Sequence, residues 1–319
     1  MSESLDGLPD IEQIRAAAVR IAPHARMTPV MRNTALDGLG GAELYFKCEH
    51  LQRGGAFKFR GACNAVWALS DVQAALGVVT HSSGNHGNAL ALAAATRGIA
   101  AHVVVPEGAV RAKVEAIERA GAILHRCAPT QAAREAMCAD VQRATGAELV
   151  HPYADTRVMA GQGTVALELL QQVPDLDVLI TPVGGGGLAS GVAIAAHAVN
   201  PDIALFGAEP QGADDAAQSL ARGERVSGIV PDTLCDGLRA LIGVSNLDAL
   251  RRHQVQVISV TDAETVAAMR LIWSELKQVV EVSSATVLAA ILKQPERFAG
   301  RRVGLVITGG NVDLQALPW

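Results

Sequence analysis

Short apolar runs alternate with helical patterns along most of this chain of 319 residues. Seven of the runs have the length and composition of buried strands, namely GVVTH, AHVVVP, ILHRC, VLITPV, IALFGAE, QVISVT and VGLVIT. Helical periodicity fills the stretches between them, including 85–97, 111–120, 130–145, 188–199 and 262–276. Because parallel strands have to be joined by crossovers, this order predicts an α/β fold whose parallel sheets are covered by helices.

The remaining segments refine this architecture. Asp10 marks the start of an amphipathic helix, and residues 43–49 alternate in polarity as a strand does. The length suggests about two domains. We expect residues 75–151 to form a small domain, and residues 1–74 together with 152–319 to form a large one.

Composition narrows the class of partner. A net charge of −5 and an aromatic content of 3% argue against nucleic acid or an anionic membrane as the main partner. The five cysteines are scattered without a CxxC pair, which is unlike a disulfide framework or a zinc site. The acidic start MSESLDGLPD is unlike a signal peptide, and no apolar run is long enough for a membrane span. We therefore expect a soluble, cytoplasmic protein.

The segment PVGGGGLASG brings four consecutive glycines, Gly184 to Gly187, between a strand and an alanine-rich helix. Glycine lets the backbone approach a ligand closely, and the start of a helix offers unpaired N–H groups and the positive end of its dipole. A flexible turn would not need four glycines in a row. The segment therefore predicts a cradle for a phosphate group.

The same glycines also allow a dinucleotide-binding interpretation. Gly184, Gly186 and Ala189 fit the GxGxxA fingerprint, and Glu209 follows about twenty residues later, where an acid that binds ribose is expected. An NAD-dependent oxidoreductase is therefore an alternative on spacing alone.

The segment HSSGNHGNAL places small polar residues between a strand and a helix. Ser82, Ser83, Gly84 and Asn85 would form the turn, where hydroxyl and N–H groups suit a carboxylate. The alternative is that Ser83 or Asn85 only caps the helix. His86 lies in the first helical turn, and a packing role is more typical there than a role as a base.

A third loop follows the last apolar run, in ITGGNVDL. Thr308 lies directly before two glycines, at the carboxyl end of a predicted strand. Open α/β sheets bind ligands at these ends. The loop alone indicates a turn, and beside the two loops above it indicates a third wall of one pocket.

Lys58 lies between Phe57 and Phe59 in GAFKFRGA, although the chain has only five phenylalanines. Aromatic neighbours suggest a site that excludes water, and a desolvated lysine can form a Schiff base with a carbonyl group. A lysine, a phosphate cradle and a carboxylate cradle together indicate pyridoxal phosphate chemistry. Hydride transfer would leave Lys58 and the serine-containing turn without a role.

The motifs GAFKFRGA, HSSGNHG, AGQGT, PVGGGGL, AEPQGADD and TGGNVDL together resemble those of fold-type II pyridoxal phosphate enzymes. More narrowly, the chain is similar to the serine racemase and serine/threonine ammonia-lyase group, which includes 3-hydroxyaspartate ammonia-lyases. The similarity covers nearly the whole chain. It implies two α/β domains with the cofactor between them, as in the tryptophan synthase β subunit, and a homodimer. It also implies that the chain, which ends at Trp319, lacks the regulatory domain of longer threonine deaminases.

The resemblance assigns cofactor contacts by position. Lys58 would form the Schiff base and Phe57 would pack against the ring. Asn85 would bond the ring hydroxyl, and Thr308 would face the pyridine nitrogen. The phosphate would be bound by the N–H groups of Gly184, Gly185, Gly186, Gly187 and Leu188.

The resemblance also assigns the reaction. Lys58 would remove the α-proton of a β-hydroxy amino acid, whose hydroxyl then leaves to give a keto acid and ammonia. Ser83 would lie on the opposite face of the ring, where racemases have a proton donor. An amino-acid racemase with the same site is therefore an alternative. The substrate carboxylate would be held by Ser82, Ser83, Gly84, Asn85 and His86.

A divalent cation is implied by the segment AEPQGADD. In the family, the positions of Glu209, the carbonyl of Ala213 and the carboxylate of Asp215 bind the ion. Hard oxygen ligands around a tight turn suit magnesium, with calcium or manganese as alternatives. Without the resemblance, a solvated acidic loop would be the simpler interpretation.

The choice of substrate is the most open part of the prediction. Arg134, in TQAAREAM, matches an arginine that faces the substrate region in racemases, and an arginine suits the second carboxylate of 3-hydroxyaspartate. A solvated position on a helix is the alternative, with serine or threonine as substrate. Ala56, Val282 and Thr308 depart from the commonest family pattern, and Val282 and Thr308 fall near the cofactor ring.

Overall fold

The computed structural model of the chain describes residues 7–319, so residues 1–6 of the acidic N-terminal segment lie outside the described part. The described residues form ten β-strands, which are β1 Val30–Met31, β2 Glu43–Cys48, β3 Val78–His81, β4 Ala101–Pro106, β5 Ile123–Cys127, β6 Glu148–Leu149, β7 Val178–Pro182, β8 Ala204–Pro210, β9 Gln256–Val260 and β10 Arg302–Ile307. They also form thirteen α-helices, which are α1 Ile11–Ile21, α2 Thr34–Gly40, α3 Lys58–Trp67, α4 Asp71–Ala75, α5 Asn85–Arg97, α6 Arg111–Arg119, α7 Gln131–Thr145, α8 Thr156–Gln172, α9 Gly187–Val199, α10 Asp215–Arg222, α11 Val244–Arg252, α12 Asp262–Leu271 and α13 Val282–Lys293.

The larger sheet has six strands in the order β1-β2-β10-β7-β8-β9. Neighbouring strands run parallel except for β1 and β2, which are antiparallel. One apolar cluster packs α8 and α9 on the first face, and a second cluster packs α12 and α13 on the other. Because β7 and β10 are direct neighbours, the loops that follow them lie at the same edge of the sheet.

The smaller sheet has four parallel strands in the order β5-β4-β3-β6. Valines of β4 alternate between its faces: Val104 packs with α7 residues, whereas Val103 packs with Ile117 of α6. The helix α3 packs against both α5 and α8, and so connects the surroundings of the two sheets. The two sheets confirm the α/β prediction, while the domain boundaries proposed above stay predictions.

The element pattern agrees closely with the sequence prediction, with one local difference. The stretch predicted as a single helix over 262–276 is an α-helix only as far as Leu271. Residues Ile272–Leu276 form a π-helical turn, and Lys277 follows with a left-handed φ of 58°. A π-turn keeps the same side-chain composition as an α-helix, so hydrophobic periodicity does not reveal it.

The helices of the described part are short or interrupted by charge. α8 has 17 residues and carries Glu168 near its end. No helix within residues 7–319 combines the length and the apolar character that crossing a membrane requires.

Candidate active site

Lys58 is the first residue of α3, and it lies beside the carboxyl end of β10. Ala56 forms an isolated β-bridge with Gly309, and the N–H of Phe57 donates to the carbonyl of Thr308 at 2.9 Å. These contacts join the start of α3 to the loop that follows β10. The structure therefore brings Lys58 and Thr308, which are far apart in the chain, into one site.

Lys58 is half-buried, and its amine lies among neighbours that largely desolvate it. Its Nζ donates to the carbonyl of Pro152 at 3.0 Å and lies 5.1 Å from the centre of the Phe57 ring. Desolvation lowers the pKa of Lys58 from 10.5 to about 8, although the nearby carboxylate of Glu281 opposes this shift. A large part of the amine is therefore neutral near pH 8, and the neutral form is the one that attacks carbonyl groups.

The glycine loop, which we define as Gly184–Gly187, connects β7 to α9. Gly186 has a φ of 91°, and a Cβ there would overlap the side chain of Ile242. No side chain of residues 7–319 caps α9, and no N–H from the glycine loop to Leu188 donates to another described residue. The loop thus presents free N–H groups and the positive end of a helix, which is an arrangement that binds phosphate.

The segment before α8 links Lys58 to the glycine loop. The carbonyl of Pro152 accepts the Lys58 hydrogen bond, and the next residue, Tyr153, packs its ring where a Cβ on Gly185 would lie. Asn246 holds this segment by donating from Nδ2 to the carbonyl of Tyr153 at 3.2 Å. The sequence analysis missed this wall of the site, since its residues belong to no recognisable motif.

The serine loop, which we define as Ser82–Asn85, leads from β3 into α5. The helix begins at Asn85 with Gly84 at its N-cap, and no side chain in the described part of the chain caps it. The alternative in which Ser83 or Asn85 only caps the helix is therefore wrong. The N–H of Gly84 makes a long hydrogen bond of 3.4 Å to the hydroxyl of Ser82. The first N–H groups of α5 remain available to a carboxylate.

The side chain of Asn85 connects the smaller sheet to the larger one. Its Nδ2 donates to Oε1 of Glu281 at 3.0 Å, and its Oδ1 accepts from Asn311 at 2.9 Å. Asn311 also donates to the carbonyl of Gly54 at 2.8 Å. Asn85 is thereby held beside the site, although its partners come from distant parts of the chain.

Glu281 is a buried acid that the sequence analysis did not select. Desolvation, followed by the charge of Asp236, raises the pKa of Glu281. The Asn85 hydrogen bond and Lys113 oppose the shift, and the resulting pKa is about 7. The available signal was a single acid inside the apolar run VVEVSS, directly before α13. The site therefore holds an acid and an amine that both titrate near neutral pH.

The hydroxyl of Thr308 is buried at the end of β10. Its Oγ1 lies 3.0 Å from the hydroxyl of Ser284, and Ser284 donates to the carbonyl of Gly309 at 2.7 Å. Because that proton of Ser284 is used, Thr308 is the donor between the two hydroxyls. The lone pairs of Thr308 Oγ1 then remain able to accept.

Three histidines stand near the site and are held neutral. Nε2 of His86 donates to the carbonyl of Val150 at 3.1 Å, and its Nδ1 has no partner among residues 7–319. Burial lowers the pKa of His86 well below its ordinary value and that of His151 to about 4. His81 packs edge-on against His151, with ring centres 5.4 Å apart. These rings shape the site without adding positive charge.

The acids proposed for the cation are close together and buried. Both oxygens of Glu209 accept N–H groups of the first turn of α10, at 3.2 and 2.8 Å. Asp215 accepts the N–H of Ile242 at 2.7 Å, and Ala213 is also buried. Burial is the main cause that raises the pKa of both acids, so their negative charges lack full compensation. Among the described residues, no three His, Cys, Asp or Glu side chains gather to hold a metal.

Arg134 is half-buried on α7, in the small-sheet part of the molecule. Its Nε is buried and has no hydrogen-bond partner within residues 7–319. Its positive charge helps to lower the pKa of His81, which stands at the end of β3. An unpaired buried guanidinium nitrogen needs a partner, and a ligand carboxylate would supply one.

These groups fit pyridoxal phosphate. The glycine loop suits its phosphate, the neutral amine of Lys58 suits its aldehyde, and Thr308 and Asn85 offer polar atoms around a ring. The oxygens of Glu209 face the N–H groups of α10, which weakens the interpretation of this acid as a ribose ligand.

Comparisons with known proteins agree with this fit. A family model described as pyridoxal-phosphate dependent enzyme matches residues 21–309. The chain is 47% identical over 312 residues to the β-hydroxyaspartate dehydratase of Paracoccus denitrificans (strain Pd 1222), covering 98% of this chain and 99% of the relative. It is 46% identical over 313 residues to the serine racemase of Arabidopsis thaliana, covering 97% and 95%. The structure of maize serine racemase matches with a TM-score of 0.94 and 46% identity, covering 97% of this chain and 95% of that chain. The chain belongs to the family of pyridoxal-phosphate dependent enzymes.

Proposed function

We propose that the protein is an ammonia-lyase that eliminates the β-hydroxyl group of a β-hydroxy amino acid and yields a keto acid and ammonia. The observation that carries this proposal is the amine of Lys58, whose pKa is lowered to about 8 in the site that also contains the glycine loop and the serine loop. The relative named β-hydroxyaspartate dehydratase supports the reaction class.

The cofactor would be held by residues of both sheets. The N–H groups of the glycine loop and Leu188 would bind its phosphate, and Phe57 would pack against its ring. Asn85 would contact the ring hydroxyl, and Thr308 would face the ring nitrogen. Because the proton of the Thr308 hydroxyl is donated to Ser284, Thr308 would not protonate this nitrogen.

The chain's own groups would then divide the reaction between them. When bound, pyridoxal phosphate supplies an electron sink for the pair left by the α-proton. The neutral amine of Lys58 would accept that proton. The serine loop and His86 would hold the α-carboxylate, and the β-hydroxyl would depart with its bonding electrons. The unsaturated amine product takes up water to give the keto acid and ammonia.

We propose 3-hydroxyaspartate as the preferred substrate, with serine and threonine as weaker ones. The support is Arg134, whose buried Nε lacks a partner within the described residues. A β-carboxylate would pair with this guanidinium, whereas the side chains of serine and threonine offer no charge to it. The name of the Paracoccus relative points to the same substrate class.

The proposal for Arg134 can be tested by comparing two arginines of the same helix. Arg134→Ala should lower kcat/KM for 3-hydroxyaspartate by at least about 100-fold, because a charge-assisted pair is lost, and should change that for serine much less. Arg143→Ala is the control, since this arginine is exposed and pairs with Asp140. Equal losses for both substrates in Arg134→Ala would contradict the β-carboxylate role.

Amino-acid racemisation is the second candidate. Its support is Ser83, which lies in the serine loop without a hydrogen bond to another described residue, together with relatives named serine racemase. A hydroxyl on the face opposite Lys58 could return a proton to the α-carbon before the β-hydroxyl leaves. Ser83→Ala should then abolish formation of the opposite enantiomer and leave most of the keto acid formation.

A panel of substrates separates the two reactions. The holoenzyme is incubated with L-serine, L-threonine and the isomers of 3-hydroxyaspartate, and both keto acid and the opposite enantiomer are measured. We expect keto acid to dominate, with the highest kcat/KM for a 3-hydroxyaspartate isomer. Dominant formation of the opposite enantiomer would favour the racemase, and a colourless protein that lacks the absorbance of a lysine-bound pyridoxal cofactor at the edge of the visible range would contradict both.

We also propose that Glu209, the carbonyl of Ala213 and Asp215 bind a divalent cation, magnesium before calcium or manganese. The support is that both carboxylates are buried close together and that burial raises their pKa values despite their hydrogen bonds, so a cation would stabilise their ionised forms. Chelation should lower the Tm of the wild type, magnesium should restore it, and Asp215→Asn should remove the response.

A homodimer, which the family resemblance suggests, would be checked by light scattering during gel filtration.

A further inference from the structure

Two histidines far from Lys58 form what we call the imidazole pair, His197 and His253. His197 lies in the last turn of α9, and His253 directly follows α11. Their Nδ1 atoms are 3.0 Å apart, and both rings are half-buried. Neither residue has a part in the site described above.

The hydrogen bonds fix which nitrogen of each ring carries the proton. Nε2 of His197 lies 3.1 Å from the carbonyl of Ile203, and a carbonyl can only accept. Nε2 of His197 is therefore the protonated nitrogen, and the lone pair of its Nδ1 accepts a hydrogen bond that His253 donates from its own Nδ1. Histidines that bind metals commonly have this arrangement, in which the far N–H donates to a backbone carbonyl and orients the ring.

The surroundings of the imidazole pair favour a cation and a neutral ring together. The helices α9 and α11 both end beside it, and the carboxyl ends of helices carry partial negative charge. Burial lowers the pKa of His253, and the neighbouring His197 and Arg252 lower it further, so the ring stays neutral near pH 7. The positive charge of Arg252 opposes a cation at this position.

We propose that the imidazole pair binds a divalent transition metal ion of borderline softness, such as Cu²⁺, Ni²⁺ or Zn²⁺. The 3.0 Å between the two Nδ1 atoms is the length of their hydrogen bond, which the ion would replace; two metal–nitrogen bonds of about 2.1 Å at a right angle also place the nitrogens about 3.0 Å apart, so the backbone need not move. His253 moves its proton from Nδ1 to Nε2 through solvent, so that both Nδ1 lone pairs bind the ion. Water fills the other positions, since residues 7–319 offer no third His, Cys, Asp or Glu ligand.

The location gives this site a connection to the cofactor region. The helices α9 and α11 also begin side by side, where the N–H of Gly243 donates to the carbonyl of Gly185 at 3.2 Å. An ion at the imidazole pair would join the far ends of the two helices that start at the glycine loop. It would do so without touching the oxygen ligands proposed for magnesium, which lie around α10.

A second pair in the chain provides a matched control. His102 of β4 and His125 of β5 have ring nitrogens 3.0 Å apart as well. Neither ring makes a second hydrogen bond to a carbonyl of the described residues, so nothing orients its lone pair. We expect this pair to bind metal more weakly than the imidazole pair.

The test is a titration of the holoenzyme with Cu²⁺ in magnesium-containing buffer, followed by calorimetry and electron paramagnetic resonance. The wild type should bind one tight equivalent whose spectrum shows coupling to two nitrogens. His197→Gln and His253→Gln should each weaken this binding at least tenfold and leave one coupled nitrogen, whereas His102→Gln should leave it unchanged. Thermal unfolding without copper establishes that each variant is folded.

Two results would overturn the proposal. One is unchanged tight binding in both His197→Gln and His253→Gln, and the other is loss of the tight equivalent in His102→Gln alone. If His197→Gln fails to fold because Ile203 loses its donor, His253→Gln decides alone, since the structure gives its ring no other hydrogen bond within residues 7–319.

Discussion

Two lysines whose pKa values are lowered by burial stand in opposite kinds of surroundings. Nζ of Lys47 donates to the carbonyl of Thr28 at 2.8 Å, to Glu168 at 2.8 Å and to Gln172 at 2.9 Å. Nζ of Lys58 donates only to the carbonyl of Pro152 among the described residues. Since an ammonium group has three donors, Lys47 has used all of them, whereas Lys58 has donors or a lone pair left for a ligand.

Lys47, whose three donors are all used, belongs to a group of charged residues that positions Lys58. We define the buried charge cluster as Lys47, Glu49, Arg60 and Glu168, two cations and two anions. Arg60 binds both acids at 2.7 Å and lies in α3, two residues after Lys58. The cluster therefore fixes the helix that presents Lys58. Burial alone therefore does not distinguish the two lysines, whereas incomplete hydrogen bonding sets Lys58 apart as the candidate for catalysis.

Removing the amine of Lys58 should have the largest effect on catalysis. Lys58→Ala should lower keto acid formation by at least about 1,000-fold, because both the cofactor attachment and the base are lost. The free energy of unfolding should hardly fall, since the cost of burying this charge disappears with it. Absorbance of the bound cofactor, product assays and urea unfolding measure the three quantities. Activity within about tenfold of the wild type would rule out Lys58 as the base.

Removing Lys47 should have the opposite effect: it should lower stability and leave cofactor binding intact. Lys47→Met should lower the free energy of unfolding by about 3–5 kcal/mol, because Glu168 and Glu49 lose a buried counter-charge. The absorbance of the bound cofactor should stay as in the wild type. Lys293→Met is the control, since its pair with Glu264 is partly exposed and should contribute less than about 1 kcal/mol. A lost cofactor spectrum in a folded Lys47→Met variant would contradict the division between the two lysines.

The difference between the two lysines also marks what the sequence could predict. The glycine loop and the serine loop were found because each is a short motif at the end of a strand, and Lys58 was found because aromatic residues flank it, so local residues decide the chemistry in each case. Glu281 was missed because its partner Asn85 is 196 positions away, and only the fold brings them together. Phe59, taken as half of the clue to Lys58, is instead buried in the packing of α3. Long-range contacts, unlike strands and glycine turns, leave no periodic signal.

The acid opposite Lys58 allows the comparison to be made through pH. The pKa of Glu281 is raised from 4.5 to about 7, so between these values the folded protein binds more protons than the unfolded chain. Stability from this group is thus greatest below pH 4.5 and decreases as pH rises towards 7, by about 3 kcal/mol. Glu168 of the buried charge cluster should show the opposite dependence: burial tends to raise its pKa, but Arg60 and Lys47 lower it overall, so its contribution to stability is present above pH 4.5 and is lost as pH falls further.

Glu281→Gln isolates this contribution, because glutamine keeps the shape and does not titrate. Urea unfolding of cofactor-free protein at several pH values gives the difference in unfolding free energy between wild type and variant. The unfolding free energy of the wild type minus that of the variant should decrease between pH 4.5 and 7. Above pH 7 it should no longer change with pH. A difference that does not change with pH would mean that Glu281 is ionised throughout.

The smallest effect should come from the ion pair between Lys113 and Asp236. Lys113 lies in α6 and Asp236 in a short 3₁₀ turn between α10 and α11, and both side chains are partly exposed. Lys113→Met should therefore cost less than about 1 kcal/mol of unfolding free energy, the same as the Lys293→Met control. However, the charge of Lys113 lowers the pKa of Glu281, so its removal should move the pH window of the preceding experiment upward, and Lys293→Met should not. If the pH window were the same in Lys113→Met and Lys293→Met, solvent would screen the charge of Lys113 from Glu281. The contrast between Lys47 and Lys58 would then depend only on the hydrogen bonds of these two lysines.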